Sequence, residues 1–131
     1  MDKKYRWQQR MQNFEASLRE LRSAIVQTEY TNLERAGLIQ LFEISFELAW
    51  KTLRDLLIYE GYTVNSPRET IRQAFAFGIL ENAEKWLEAL DSRNLLTHTY
   101  NEQTAADAVE SIKNSFAPML FDLQNNLKER L

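Results

Sequence analysis

The chain contains no cysteine. That excludes a disulfide framework, a zinc-finger spacing and a thiol nucleophile, and it fits a reducing cytoplasm. Glycine and proline are scarce, three and two in 131 residues, which leaves little room for a sheet closed by tight turns. No apolar run approaches the roughly 20 residues of a membrane span. The N-terminal stretch Met1–Gln8 is charged and polar and lacks the apolar core of a signal peptide. Positive charge is not in excess. With a formal net charge of -3, the chain as a whole is no basic nucleic-acid binder, although a local positive pocket fits within that total. The length corresponds to one domain, residues 1–131, with enough apolar residues for a core.

What is present is helical periodicity. Trp7, Met11, Phe14, Leu18, Leu21 and Ile25 recur at three- and four-residue steps, which predicts a first helix from about Lys3 to Val26. After a break at residues 27–31, Thr31 with Glu34 forms a capping box for a second helix running from about Asn32 to Tyr59 and stopping at Gly61. Its middle, Leu38 to Leu57, is apolar on almost every side, so it is central in the bundle or shared with another chain. Along it a narrow stripe at steps of four, Glu43, Glu47, Lys51 and Asp55, is charged. It reads as a solvated face with Glu47–Lys51 support. Ser66, Pro67 and Glu69 open a short third helix that ends near Gly78. A fourth starts near Glu81 or Asn82, carries Trp86, Leu87, Leu90 and Leu95 on its apolar side, and ends close to His98. Thr104 with Asp107 suggests the start of a last helix, about Ala105 to Arg130, which Pro118 should kink or split. The sum is an all-α, antiparallel up-and-down four-helix bundle with one additional short helix.

The chemistry-bearing segment is Arg93-Asn94-Leu95-Leu96-Thr97-His98-Thr99-Tyr100, which contains the only histidine. Imidazole is the side chain that moves protons near neutral pH, and guanidinium is a fixed fork suited to phosphate. On a continuous helix, five residues turn through about 500°, which sets Arg93 and His98 about 140° apart, whereas Asn94 and His98 share a face. Arg93 and His98 therefore meet in one pocket only if the helix unwinds before His98 or if a second copy completes the site. The bland alternatives are an Arg93 paired with Asp91 or a neighbouring glutamate, and a Tyr100 that is a packing ring. Trp50, Phe46 and Trp86 read as core or dimer interface, and Arg68 and Arg72 as surface charge with the further option of an RNA path. Glu43 and Glu47 lack an accompanying Glu-x-x-His motif, so no metal site is expected, nor any resident cofactor. With no Gly-rich phosphate loop, Ser–His–Asp constellation or nucleotidyltransferase Gly-Ser motif, the chain should not itself transfer nucleotides.

Four stretches together, Arg35–Glu43, Phe46–Leu53, Ser66–Glu69 and Arg93-Asn94 through His98-Thr99-Tyr100, resemble the HEPN superfamily. Within it they resemble the small bacterial proteins described as nucleotidyltransferase substrate-binding proteins. Arg93, Asn94 and His98 match that superfamily's R-x4-6-H signature, and Tyr100 extends it to R-x4-H-x-Y. The resemblance implies a helical bundle that forms a homodimer, with the motifs of two chains facing one cleft. It implies a metal-independent ribonuclease of the toxin–antitoxin type. Its partner would be a minimal nucleotidyltransferase that transfers AMP to Tyr100. On that reading His98 is general acid or base, Arg93 clamps phosphate, and Asn94 orients the strand. The alternative is a non-catalytic subunit presenting a substrate or nucleotide to that partner.

Overall fold

The computed structural model describes residues 2–131. The order of elements is α1 (Lys3–Ala24), α2 (Asn32–Tyr59), α3 (Pro67–Phe77), α4 (Ala83–His98) and α5 (Glu102–Ser111). One π-helical turn (Ile112–Phe116) then leads into α6 (Ala117–Lys128). Among the described residues there is no strand.

Local chemistry sets each boundary. Asp2 accepts the Lys4 N–H at the start of α1, and Trp7, Met11, Phe14, Leu18 and Leu21 form its buried stripe. The helix ends at Ala24, slightly before the expected Val26. Both bonds of the Thr31–Glu34 box are present at the head of α2, at 3.1 and 2.9 Å. Gly61 (φ 99°) follows α2 and Gly78 (φ 90°) ends α3, each in the left-handed region that glycine adopts without strain.

The last helix opens differently from the sequence expectation. Asn101, not Thr104, is the N-cap: its side chain accepts the Thr104 N–H, and Thr104 Oγ1 accepts the Asn101 N–H in return. The helix therefore begins at Glu102, three residues earlier than Ala105, and Asp107 instead accepts a bond from Gln103. Pro118 does interrupt this helix, through the π turn just before it. There the Ala117 N–H bonds to Ile112 O, one residue wider than an α-turn. The extra residue relieves the clash between a proline ring and the preceding turn.

Antiparallel neighbours follow from the pairs that meet. Arg10 reaches Asp55 between the start of α1 and the end of α2, and Phe46 meets Trp86 between α2 and α4. Along the last rod, Lys113 meets Gln27 just past α1 while Lys128 meets Glu15 further back in α1. With the α5–π–α6 rod counted as one, α1, α2, α4 and this rod run up, down, up and down, and α3 is the short extra helix. An aromatic ladder ties α2 to the π turn and α4: Phe42 lies 5.5 Å from Phe116 and 5.9 Å from Phe46, which lies 5.7 Å from Trp86. Phe46, Trp50 and Trp86 are buried, in the core rather than on a surface.

Candidate functional site at the end of the fourth helix

Helix α4 is unbroken through His98. Thr97 Oγ1 donates back to Asn94 O at 2.6 Å, and the Thr99 N–H closes the last turn on Leu95 O at 2.8 Å. The local unwinding that would let Arg93 and His98 converge within one chain does not occur. The helix phase explains the rest. Leu95 lies nine residues, about 900°, beyond Trp86 and so points away from the core. It is 54% exposed, contrary to its expected place on the apolar side, and Leu96 is the buried residue instead. Arg93 falls close to the phase of Trp86 and turns toward α2. Asn94 and His98 are exposed together on another flank. Among the described residues no hydrogen-bonding side chain orients the His98 ring.

Arg93 is held. Its Nη2 lies 3.4 Å from Glu47 Oε2, while Asp91 is engaged by Arg68 at 3.0 Å. Glu47 is itself fixed: the Trp50 indole N–H donates to it at 2.9 Å, and Lys51 Nζ lies 3.1 Å away. Partial burial pushes the Glu47 carboxyl upward. The bonds from Trp50 and Lys51 and the charges of Arg93 and Lys51 outweigh that, leaving it below the usual carboxylate range. Spacing within α2 places Glu47 on a solvated stripe and leaves the partner of Arg93 open between Asp91 and an unspecified glutamate; the packing of α4 on α2 makes it Glu47.

The stripe also ends differently from the expectation. Asp55 is 3% exposed and lies between Arg10 and Arg54, each at 3.2 Å, because a carboxylate facing α1 is buried only with cations to match it.

Two open grooves flank the segment on the outer face of α2. One, of about 420 Å³, is lined by Glu43, Ile44, Glu47, Leu48 and Arg93. The other, of about 440 Å³, sets Tyr100 beside Leu33, Ala36 and Asn101. Between them α2 presents Leu33, Ala36, Gly37, Gln40 and Ile44 to solvent, all near one helix phase. Leu33 is 83% exposed and Tyr100 52%. That exposed, largely apolar line, with Gln40 its polar member, follows the three- and four-residue spacing of 33, 36, 37, 40 and 44. The apolar abundance elsewhere on the helix hid it.

Residues 9–129 match the model of a family described as nucleotidyltransferase substrate binding protein like. A probable ribonuclease HepT of Haemophilus influenzae is 31% identical over 75 residues, which is 53% of this chain and 51% of that protein. The chain thus spans about half the length of the curated relative it matches. A solved structure from Thermus thermophilus superposes with a TM-score of 0.81 at 31% identity, over 88% of this chain and 98% of that one. A second, from Haemophilus influenzae and described as the fold of a substrate binding domain of a nucleotidyltransferase, gives a TM-score of 0.76. It is 24% identical over 90% of this chain and 98% of its own, and shares the fold.

Proposed function

Because the chain belongs to the nucleotidyltransferase substrate-binding protein family, we propose that it is a cytoplasmic HEPN-type ribonuclease. On this reading it acts as a homodimer, cuts RNA without a metal, and is restrained by a minimal nucleotidyltransferase partner. The observation that carries the composite site is the unbroken helix through His98. Arg93 turns inward to Glu47 and His98 turns out to solvent, so one chain offers no pocket containing both.

The chemistry asks for two proton-transfer groups. A base takes the proton of the RNA 2′-OH, that oxygen attacks phosphorus, and the bond to the 5′-oxygen breaks as an acid protonates it. The products carry a 2′,3′-cyclic phosphate and a 5′-hydroxyl. A single histidine cannot stand on both sides of the phosphorus, and two-fold pairing supplies a second. The apolar line Leu33, Ala36, Gly37 and Ile44 beside the segment is the face on which a second copy would seat. His98 would serve as base in one chain and acid in the other. Arg93 would clamp the phosphate with the guanidinium edges that Glu47 leaves free, and Asn94, on the His98 flank, would contact the strand.

Tyr100 is the acceptor for the partner's regulation. Its phenol oxygen would bond to the α-phosphorus of ATP, pyrophosphate would leave, and the phenol proton would pass to the partner's active site. The attached AMP would add bulk and negative charge beside the cleft and repel RNA.

The test is cleavage of RNA in EDTA by the unmodified protein, beside His98→Ala and Arg93→Ala. Cleavage that both substitutions abolish, with the dimer intact, is expected. No cleavage across varied RNAs would favour the second reading, a subunit that presents a substrate or nucleotide to the transferase, which the family's description supports.

A further inference from the structure

Asp55 is buried, yet it faces two arginines. Arg10 Nε donates to its Oδ2 and Arg54 Nε to its Oδ1, both at 3.2 Å. One carboxylate cannot neutralise two guanidinium groups, so the cluster carries a surplus positive charge. Each arginine donates to Asp55 through Nε, so its Nη groups are not spent on that carboxylate, and the side chains are 30% and 26% exposed. The Arg54 guanidinium also lies over the Trp50 ring, 5.3 Å from its centroid, which fixes it further.

This pair does not stand alone. Lys51 lies one turn before Asp55 on α2, and Glu47, which holds Arg93, lies one turn before Lys51. From Glu47 to Asp55 is eight residues, about 12 Å, with cations at each of three levels about 6 Å apart. A bundle of net charge -3 thus carries a cationic ladder that starts at Arg93.

The geometry points to Lys51, Arg54 and Arg10 as a binding track for successive phosphates of a single RNA strand whose scissile phosphate sits at Arg93. This rests on the ribonuclease reading above. Asp55 and Glu47 act as posts that hold the cations in place rather than as ligands. A strand on this track is gripped by its backbone, so the ladder contributes affinity without base preference.

The test uses a labelled short single-stranded RNA of mixed sequence and full-length dimer carrying His98→Ala, so that the strand is not cut. Affinity is measured by anisotropy across a salt series in EDTA, with Lys51→Gln and Arg54→Gln added singly. Arg10 still matches Asp55 in the second of these. Arg19→Gln, an exposed charge elsewhere on α1, is the control.

Each ladder variant should reduce the slope of log affinity against log salt by about 0.7 and weaken binding about fivefold at 0.1 M salt. The control should change neither. If Arg54 only steadies Asp55 for its bond to Arg10 of α1, Arg54→Gln lowers stability and leaves the slope intact. An unchanged slope in both ladder variants, in a parent that binds RNA, overturns the ladder alone. A parent that binds no RNA overturns the ladder and the ribonuclease reading together.

Discussion

Glu47 joins the stability of the bundle to the placement of Arg93, and its replacement separates two contributions. In Glu47→Ala the indole N–H of Trp50, a residue only 7% exposed, loses its acceptor. An unsatisfied buried donor costs about 1–3 kcal/mol. The helical pair with Lys51 adds about 0.3–0.5 kcal/mol, and the half-exposed contact with Arg93 up to about 1 kcal/mol. The expected loss is therefore about 1.3–4.5 kcal/mol. In Glu47→Gln the amide oxygen still accepts from Trp50, so only the charge contributions disappear, and the loss should stay at about 1.5 kcal/mol or below. Urea unfolding at neutral pH measures both.

The pH dependence has a fixed sign. The folded carboxyl of Glu47 is depressed, so its contribution is full above the unfolded carboxylate pKa and is lost as pH falls through the lower folded value. The stability gap between parent and Glu47→Gln should close across that acid window and stay constant from there to neutrality. Equal losses for Ala and Gln would refute the assigned Trp50 bond. A gap that widens on acidification would refute the electrostatic account.

Asp55→Ala leaves Arg10 and Arg54 facing each other without a counter-charge. It should cost about 3–5 kcal/mol, read as a lowered urea midpoint with unchanged helical circular dichroism in the absence of denaturant. Gly37 has nothing within 4 Å of an added Cβ, so Gly37→Ala should stabilise the folded chain by roughly 1 kcal/mol through helix propensity. A bulky Gly37→Trp should fold as well as the parent but sediment as a monomer and lose RNA cleavage. A dimer unaffected by it would remove the outer face of α2 from the interface.

Much of the fold was legible because its signals are local. The Thr31–Glu34 box, Pro67 after the Ser66 cap, and the left-handed glycines at 61 and 78 each act within a few residues, and the apolar spacing of α1 fixes its buried face. The departures arise where two local signals compete or where a partner element decides. Asn101 and Thr104 both offer a cap, and the earlier one takes the helix. Leu95 and Leu96 are equally apolar, but only the second has the phase of the core. Asp55 continues the four-residue charged spacing, yet α1 covers it, and no pattern within α2 announces Arg10. The motif itself was visible as residue types in order. Its geometry was half visible: helix periodicity separates Arg93 from His98, while the contact of Arg93 with Glu47 depends on how α4 lies on α2.

In the proposed dimer the histidines of two chains act on one phosphate. A purified heterodimer of one parent chain and one His98→Ala chain, each with its own affinity tag, tests this directly through RNA cleavage in EDTA. The shared site predicts that one substituted chain silences the whole dimer, so that cleavage falls to the level of the doubly substituted protein. A heterodimer that keeps half the parent's activity would contradict it, because each chain would then work alone.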